Sequence, residues 1–275
     1  INRLLDEDKT LRFENDAETK QLLLSAMGNM QIDVALSKLK SRNGLDVVLS
    51  APRIAYRETI KGRSDVQGKH KKQSGGHGQY GDVKIRFSPG EGDGLTFTQS
   101  VVGGSVPKNY FPAIEKGLLE AMQKGVLAGY PVVGLAADLY DGSYHDVDSN
   151  ELSFKMAASL AYKAGLPLAK PVLLEPIGEL KVTIPDSVVG AVMGDINSKR
   201  RGTVLGSNPA EGKPGYTTID AEVPKATMVE YTIDLRAMTQ GKGSYSFYFV
   251  RYDEVPGSEA QKIIAEAKAN MSEED

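Results

Sequence analysis

Two short strings hold most of the residues able to do chemistry. The first is Ser74-Gly75-Gly76-His77-Gly78-Gln79-Tyr80-Gly81, with four glycines in seven residues from Gly75 to Gly81. Glycine permits backbone torsions and close approaches that a Cβ forbids. Lys69-His70-Lys71-Lys72 stands just before it, and Arg53, Arg57, Lys61 and Arg63 stand farther back, opposed by Glu58 and Asp65. Phosphates attract such cations, and unstacked bases seek planar side chains. Lys69, Lys71 and Lys72 therefore read as backbone contacts, and Gly75, Gly76, His77, Gly78, Gln79 and Tyr80 as an RNA-binding tip. A solvated basic hairpin with a flexible tip explains the same composition.

The second string is Asp141-Gly142-Ser143-Tyr144-His145-Asp146-Val147-Asp148. Tyr144, His145 and Asp146 would form a polar, aromatic contact tip beside the first. A metal site is a poor fit, because the chain has three histidines, His70, His77 and His145, and no cysteine, whereas metals want several convergent ligands. A carboxylate-positioned His145 could act as a general base, but no nucleophile string such as GxSxG accompanies it. A third patch, Lys199-Arg200-Arg201, closes a helix. Cations there complement the helix dipole, and they are equally able to hold phosphates.

One string is a decoy. Gly76-x-Gly78-x-x-Gly81 fits the dinucleotide fingerprint and, with Val83, the kinase glycine-rich loop. The dinucleotide reading needs a helix next, yet Val83, Ile85 and Phe87 alternate with polar residues as a strand does. The kinase reading lacks HRD, DFG and a VAIK-like lysine. There is no G-x-x-x-x-G-K-[ST] phosphate loop either.

The elements that must position these loops fall into three segments and a tail. Residues 1–50 read as helix, strand, strand, helix, strand. The strands are Leu11 to Glu14 and Gln21 to Ser25, the helix carries Ile32, Ala35, Leu36 and Leu39 on one face with Gly44 as its cap, and Leu45 to Ser50 is the last strand. Residues 51–169 are strand-rich to Val102. A helix follows with Ile114, Leu118, Met122 and Val126 on one face, then a strand over Tyr130 to Tyr140, the second loop, and a helix opened by Asp148 with Glu151 in the manner of a capping box. Residues 170–257 read βαββαβ, the ferredoxin-like order, with Asp186 capping the first helix. Residues 258–275 are an Ala/Glu/Lys-rich helix. The fold class is α+β, with two ferredoxin-like units flanking a different middle domain. The first unit has its opening strand missing, which would leave sheet donors unpaired. That leads to the expectation of a polypeptide longer at its N-terminus.

Composition sets outer bounds. With 275 residues the chain can hold two or three domains of roughly 100–150 residues. Forty per cent hydrophobic and 25 % charged is ordinary for a globular protein. A net charge of −3 argues against a general nucleic-acid coat, though not against a local basic patch. No apolar run reaches the ~20 residues of a membrane span. The first ten residues lack a signal-peptide core, so the expected location is cytoplasmic.

Six strings, in order, resemble elongation factor G. Ser25-Ala26-Met27-Gly28 is similar to its SGMGE stretch, Ala55 to Ile60 to its AYRETI entry, Gln73 to Val83 and Asp141 to Ser149 to two tip loops, and GDINSKRRG and DLRAMTQGKGSYSFYF to its fifth domain. The resemblance implies domains three to five, the third truncated and the fourth built on an unusual βαβ crossover. It implies a translational GTPase that moves transfer RNA and messenger RNA, with the fourth-domain tip at the decoding centre. The fifth domain would meet large-subunit RNA and the stalk base through Lys199, Arg200 and Arg201. No catalytic residue or cofactor is expected in this chain; GTP and Mg would belong to an N-terminal domain. The partner is the ribosome, and the expected state is monomeric. The family usually has Glu, Leu, His and Leu where Asn29-Met30-Gln31-Ile32 stand, and Arg where His77 stands. In that respect the chain is closer to an elongation-factor-G-like paralogue group, for which ribosome protection or regulation without translocation is the alternative function.

Overall fold

A computed structural model describes residues 2–73 and 78–274, apart from the side chains of residues 2 and 270–274. It divides into two compact units, one of residues 1–55 with 176–251, the other of 56–175 with 252–275.

The first unit begins with α1 (Asn2–Glu7), the hairpin β1 (Arg12–Asn15) and β2 (Leu22–Ser25), and α2 (Asn29–Asn43). Ala35 and Leu39 of α2 are buried, as their spacing predicts. Gly44 ends the helix at φ 64° and returns its N–H to Lys40 O at 3.0 Å, the left-handed cap expected of glycine. Leu45 to Ser50, expected as a strand, is not one: residues 44–56 carry neither helix nor strand, and Val48 is 93 % exposed. Strand propensity becomes a strand only where a ladder partner exists, and β1 and β2 pair with each other alone.

The rest of this unit runs β8 (Pro171–Pro185), α5 (Val189–Ser198), β9 (Thr203–Pro209), β10 (Tyr216–Pro224), α6 (Tyr231–Thr239) and β11 (Ser244–Glu254). The strand order β11-β8-β10-β9, fourth-first-third-second, is the ferredoxin-like arrangement. Leu180, Val182 and Ile184 of β8 and Ile219, Ala221 and Val223 of β10 face Val192, Ile196, Tyr231 and Leu235 of the helices. Asp186 does not cap α5. It opens a 3-10 turn and accepts a hydrogen bond from Thr217 Oγ1 at 2.7 Å.

The first residues of β8, 171–175, belong to the second unit, and there β3 (Arg57–Ile60) pairs antiparallel with them, Arg57 opposite Leu174. The sheet that carries the candidate site has four strands, β4 (Ser64–Lys72), β5 (Gln79–Pro89), β7 (Leu135–Ser143) and β6 (Leu95–Gln99), in the order β4-β5-β7-β6. β4, β5 and β7 are antiparallel neighbours, whereas β6 is parallel to β7. That parallel pair requires the βαβ crossover that the resemblance implies, and α3 (Phe111–Ala121) supplies it. α7 (Gly257–Glu274) follows β11.

One face of the sheet is covered by α3 and α4 (Glu151–Gly165). Val83, Ile85 and Phe87 of β5 meet Phe154, Ala157, Ala158 and Ala161 of α4. The small residues of α4 let it sit close, and glycines make room in the strands. A Cβ at Gly68 would lie 2.1 Å from Ala157 O, and one at Gly81 2.5 Å from Ser153 O. Truncating a core ring such as Phe87 or Phe154 to alanine costs about 3–5 kcal/mol.

Boundaries shift at three places. α3 stops at Ala121, so Val126, expected on the helix, lies in the turn beyond it. The following strand starts at Leu135 rather than Tyr130 and runs to Ser143, taking Asp141 to Ser143 out of the expected loop. Finally, α4 is capped by Asn150, whose Oδ1 accepts from Ser153 N at 2.8 Å, so the expected cap at Asp148 is corrected.

Candidate nucleic-acid interface at one end of the sheet

The end of β4, the start of β5 and the end of β7 lie at one edge of the four-stranded sheet, because Lys72 is opposite Gln79 and Asp82 opposite Ser143. This juxtaposition unites the first and second strings. Gly75, Gly76 and His77 lie outside the described residues. Gly78, Gln79 and Tyr80 are fastened to the second loop by backbone and side-chain bonds alike.

Asp148 is the clasp. Its Oδ1 accepts from Gly78 N at 2.9 Å, and its backbone O accepts from Tyr80 N at 2.9 Å. Ser149 Oγ donates to Tyr80 O at 2.8 Å and accepts from His145 N at 2.9 Å. A Cβ on Gly78 would come within 3.0 Å of the Asp148 carboxyl, so this glycine serves the junction between loops. Because Asn150 caps α4, Asp148 is free to clasp.

Tyr80 is held at both ends. Ser143 Oγ donates to Asp82 Oδ2 at 2.8 Å, so at its 2.7 Å contact with Tyr80 it accepts, and the phenol is the donor. Gln67 Nε2 donates to the other Asp82 oxygen at 2.7 Å. The Lys69 ammonium lies 5.5 Å from the centre of the Tyr80 ring, and the His145 ring centre 6.5 Å from it. Gln79 Oε1 meets His70 Nε2 at 2.8 Å.

His145 is exposed, with Nδ1 facing the N–H groups of Val147 and Asp148 at 3.4 and 3.3 Å. Those donors face Nδ1 as an acceptor, which assigns the proton of the neutral ring to Nε2. The Asp148 carboxylate, 3.6 Å from Nδ1, becomes its ion partner only when the ring is protonated. Tyr144 and Asp146 are exposed on the same loop, and Lys69, Lys71 and Lys72 along β4. At the base of the second loop, the Lys84 ammonium at 2.8 Å and then the Gly142 N–H draw the Asp141 carboxyl down to about 2.

The third patch belongs to the other unit. Lys199 follows the last turn of α5 and pairs with Asp234 at 2.7 Å. Arg201 is half-buried at φ 52°. Arg200 departs from its expected phosphate role, being 3 % exposed. Its guanidinium is taken up by Asp195 at 3.0 Å, by Asp234 and by Thr227 O, over the Tyr231 ring. A cation so enclosed offers nothing to a partner outside.

Sequence reasoning missed Glu58, counted there only as an acid among cations. It is 1 % exposed, and its carboxylate accepts from Leu127 N and Ala128 N at 2.8 Å and Tyr130 N at 3.1 Å, organising the turn after α3. A signal existed: Tyr56, Glu58 and Ile60 share one strand face, and all three are buried.

Comparison with known proteins covers nearly the whole chain. Residues 1–51 match the family model described as Elongation Factor G, domain III, residues 52–170 that of Elongation factor G, domain IV, and residues 172–263 that of the Elongation factor G C-terminus. A curated protein of Thermotoga maritima named "Elongation factor G-like protein" is 47 % identical over 276 residues, spanning 100 % of this chain and 40 % of its own length. A crystal structure of a Thermus thermophilus protein is 45 % identical with a TM-score of 0.84, covering 98 % of this chain and 40 % of that one. The chain thus spans about 40 % of the length of the relatives it matches.

Proposed function

Because this chain belongs to the elongation factor G family of translational GTPases, we propose that it is the ribosome-contacting part of a factor that promotes movement of transfer RNA and messenger RNA. The observation that carries this reading is the clasp. Two loops distant in sequence are bonded into one end by Gly78, Tyr80, Asp148 and Ser149. That end exposes His145, Tyr144 and the lysines of β4, cations and planar groups together, which is what an RNA surface requires.

The same contacts weigh against His145 as the base of a free-standing enzyme. Its Nδ1 is engaged by backbone N–H groups, and the nearby Ser149 hydroxyl is committed to Tyr80 O. No phosphate-loop string occurs in the sequence, so binding of GTP with Mg is proposed for a part of the whole protein beyond these residues. Among the described residues no helix is long and apolar enough to cross a membrane. The ribosome at the decoding centre and stalk base, action as a monomer and a cytoplasmic location complete the proposal.

Co-sedimentation with purified ribosomes over a salt series tests it. Binding should weaken as salt rises, and His145→Ala combined with Asp148→Ala should reduce it. Pelleting indifferent to both salt and the double substitution would overturn the tip assignment. A second reading, ribosome protection or regulation without translocation, is favoured by Asn29 to Ile32, which depart from the residues usual in the family. Gln31 is engaged there with Asp8 Oδ2 and Thr10 Oγ1, each at 2.6 Å. Multi-turnover translocation by the full-length protein would eliminate that reading.

A further inference from the structure

The sheet edge that carries the two clasped loops carries a third. β6 is parallel to β7, with Leu95 opposite Leu135 and Gln99 opposite Leu139, so the chain leaves β6 at the edge where β7 ends. Residues 100–110 then lead into α3. Both ends of this connection are anchored. Ser100 N donates to Leu139 O at 2.8 Å, and Ser100 Oγ holds Asp138. Farther along, Val106 is buried in the core against Gly142, where any Cβ would strike it. Tyr110 stacks on Phe154 at 4.6 Å and donates to Ser149 O at 3.2 Å, the residue that binds Tyr80. The return arm is thus tied to the second loop.

Between those anchors the chain turns outward. Val102 is 84 % exposed, and Gly103 and Gly104 both sit at φ 72°, with open space where their side chains would be. Two successive left-handed residues need glycine, and here they present bare backbone N–H groups beside an apolar side chain. Lys108 is exposed on the return arm. Residues 100–107 hold no charged side chain, so this loop complements the lysines of β4 with uncharged contacts.

We propose that Val102-Gly103-Gly104 is a third RNA-contacting loop of the tip, taking the base or ribose face of an exposed nucleotide beside the one met by the second loop. It rests on the RNA reading above and adds to it an uncharged, shape-reading contact. Phosphate attraction supplies affinity without selectivity, whereas contact to base and sugar supplies position.

The absence of cysteine makes a direct test simple. Single variants Val102→Cys, Tyr144→Cys and Leu205→Cys of the 275-residue chain, each carrying a tethered iron chelate, are bound to ribosomes, and hydroxyl-radical cuts in the RNA are mapped. All three positions are exposed, and Leu205 lies in the other unit. Val102→Cys and Tyr144→Cys should cut overlapping nucleotides, and Leu205→Cys should not cut that set. If Tyr144→Cys cuts while Val102→Cys is silent or cuts a disjoint set, the third loop faces away from the RNA and the two-loop reading survives. If neither cuts, both fail.

Discussion

Two basic runs look alike on paper and differ in space. Lys69-His70-Lys71-Lys72 lies on a strand that leads to an open sheet edge, and its lysines are exposed. Lys199-Arg200-Arg201 ends a helix packed inside a ferredoxin-like unit, and its central cation is enclosed by Asp195, Asp234 and Tyr231. A run of cations is therefore no measure of a binding surface. What counts is whether the packed elements bring acids to it. α5 and α6 supply two, whereas among the described residues Lys69 meets the Tyr80 ring and Lys71 and Lys72 are exposed.

The largest effect in this comparison should follow Arg200→Ala. It takes the guanidinium from Asp195 and leaves Asp234 with Lys199 alone, and should destabilise the protein by about 3 kcal/mol, the low end for a broken buried pair. Urea unfolding would show this, with the salt slope of ribosome binding unchanged in folded protein. A lowered salt slope would mean that Arg200 reaches RNA after all.

Next comes the clasp. Asp148→Ala leaves Gly78 N without its acceptor, a loss of about 1–3 kcal/mol confined to the loops. Hydrogen exchange at the Gly78 amide should accelerate while the core amides of β5 keep their protection. Equal acceleration in β5 would show that the clasp supports the sheet as well as the tip.

Replacing Lys69, Lys71 and Lys72 with alanine should lower the salt slope of binding by about one for each phosphate left unneutralised. The melting temperature should stay put, since exposed lysines contribute little to stability. A shifted melting temperature with an unchanged slope would reverse the contrast between the two runs.

The smallest effect concerns the exposed Lys84–Asp141 pair at the tip. Its carboxyl is drawn down to about 2 in the folded chain, against about 4 when unfolded. A lowered native value contributes stability fully present above about pH 4, which is lost as the pH falls toward 2. Asp141→Asn should flatten that part of the acid limb in melts at stepped pH. Since both partners are well exposed, solvent screening keeps the change small.

Where sequence reading succeeded, local rules sufficed. Gly44 caps α2 because few other residues tolerate the left-handed turn. Val83, Ile85 and Phe87 alternate, and all three face the core of a strand. Where it failed, the missing information was a partner. Leu45 to Ser50 has strand composition without a ladder. Asp148 and Asn150 are both good caps, and only the position of Gly78 decides which of them clasps. Glu58 sat at a buried period, yet its three N–H donors come from about 70 residues away.

Sequence by itself determined the order of elements beyond the first segment, the ferredoxin-like repeat of the last segment, the family and the two tip strings, because periodicity, capping and short strings are local properties of the chain. Only the tertiary structure decided that the two strings meet through Asp148, that a third loop shares their edge and that Arg200 turns inward. Burial of a charge and the meeting of loops depend on which elements pack together and in what register, and neither is encoded at any single position.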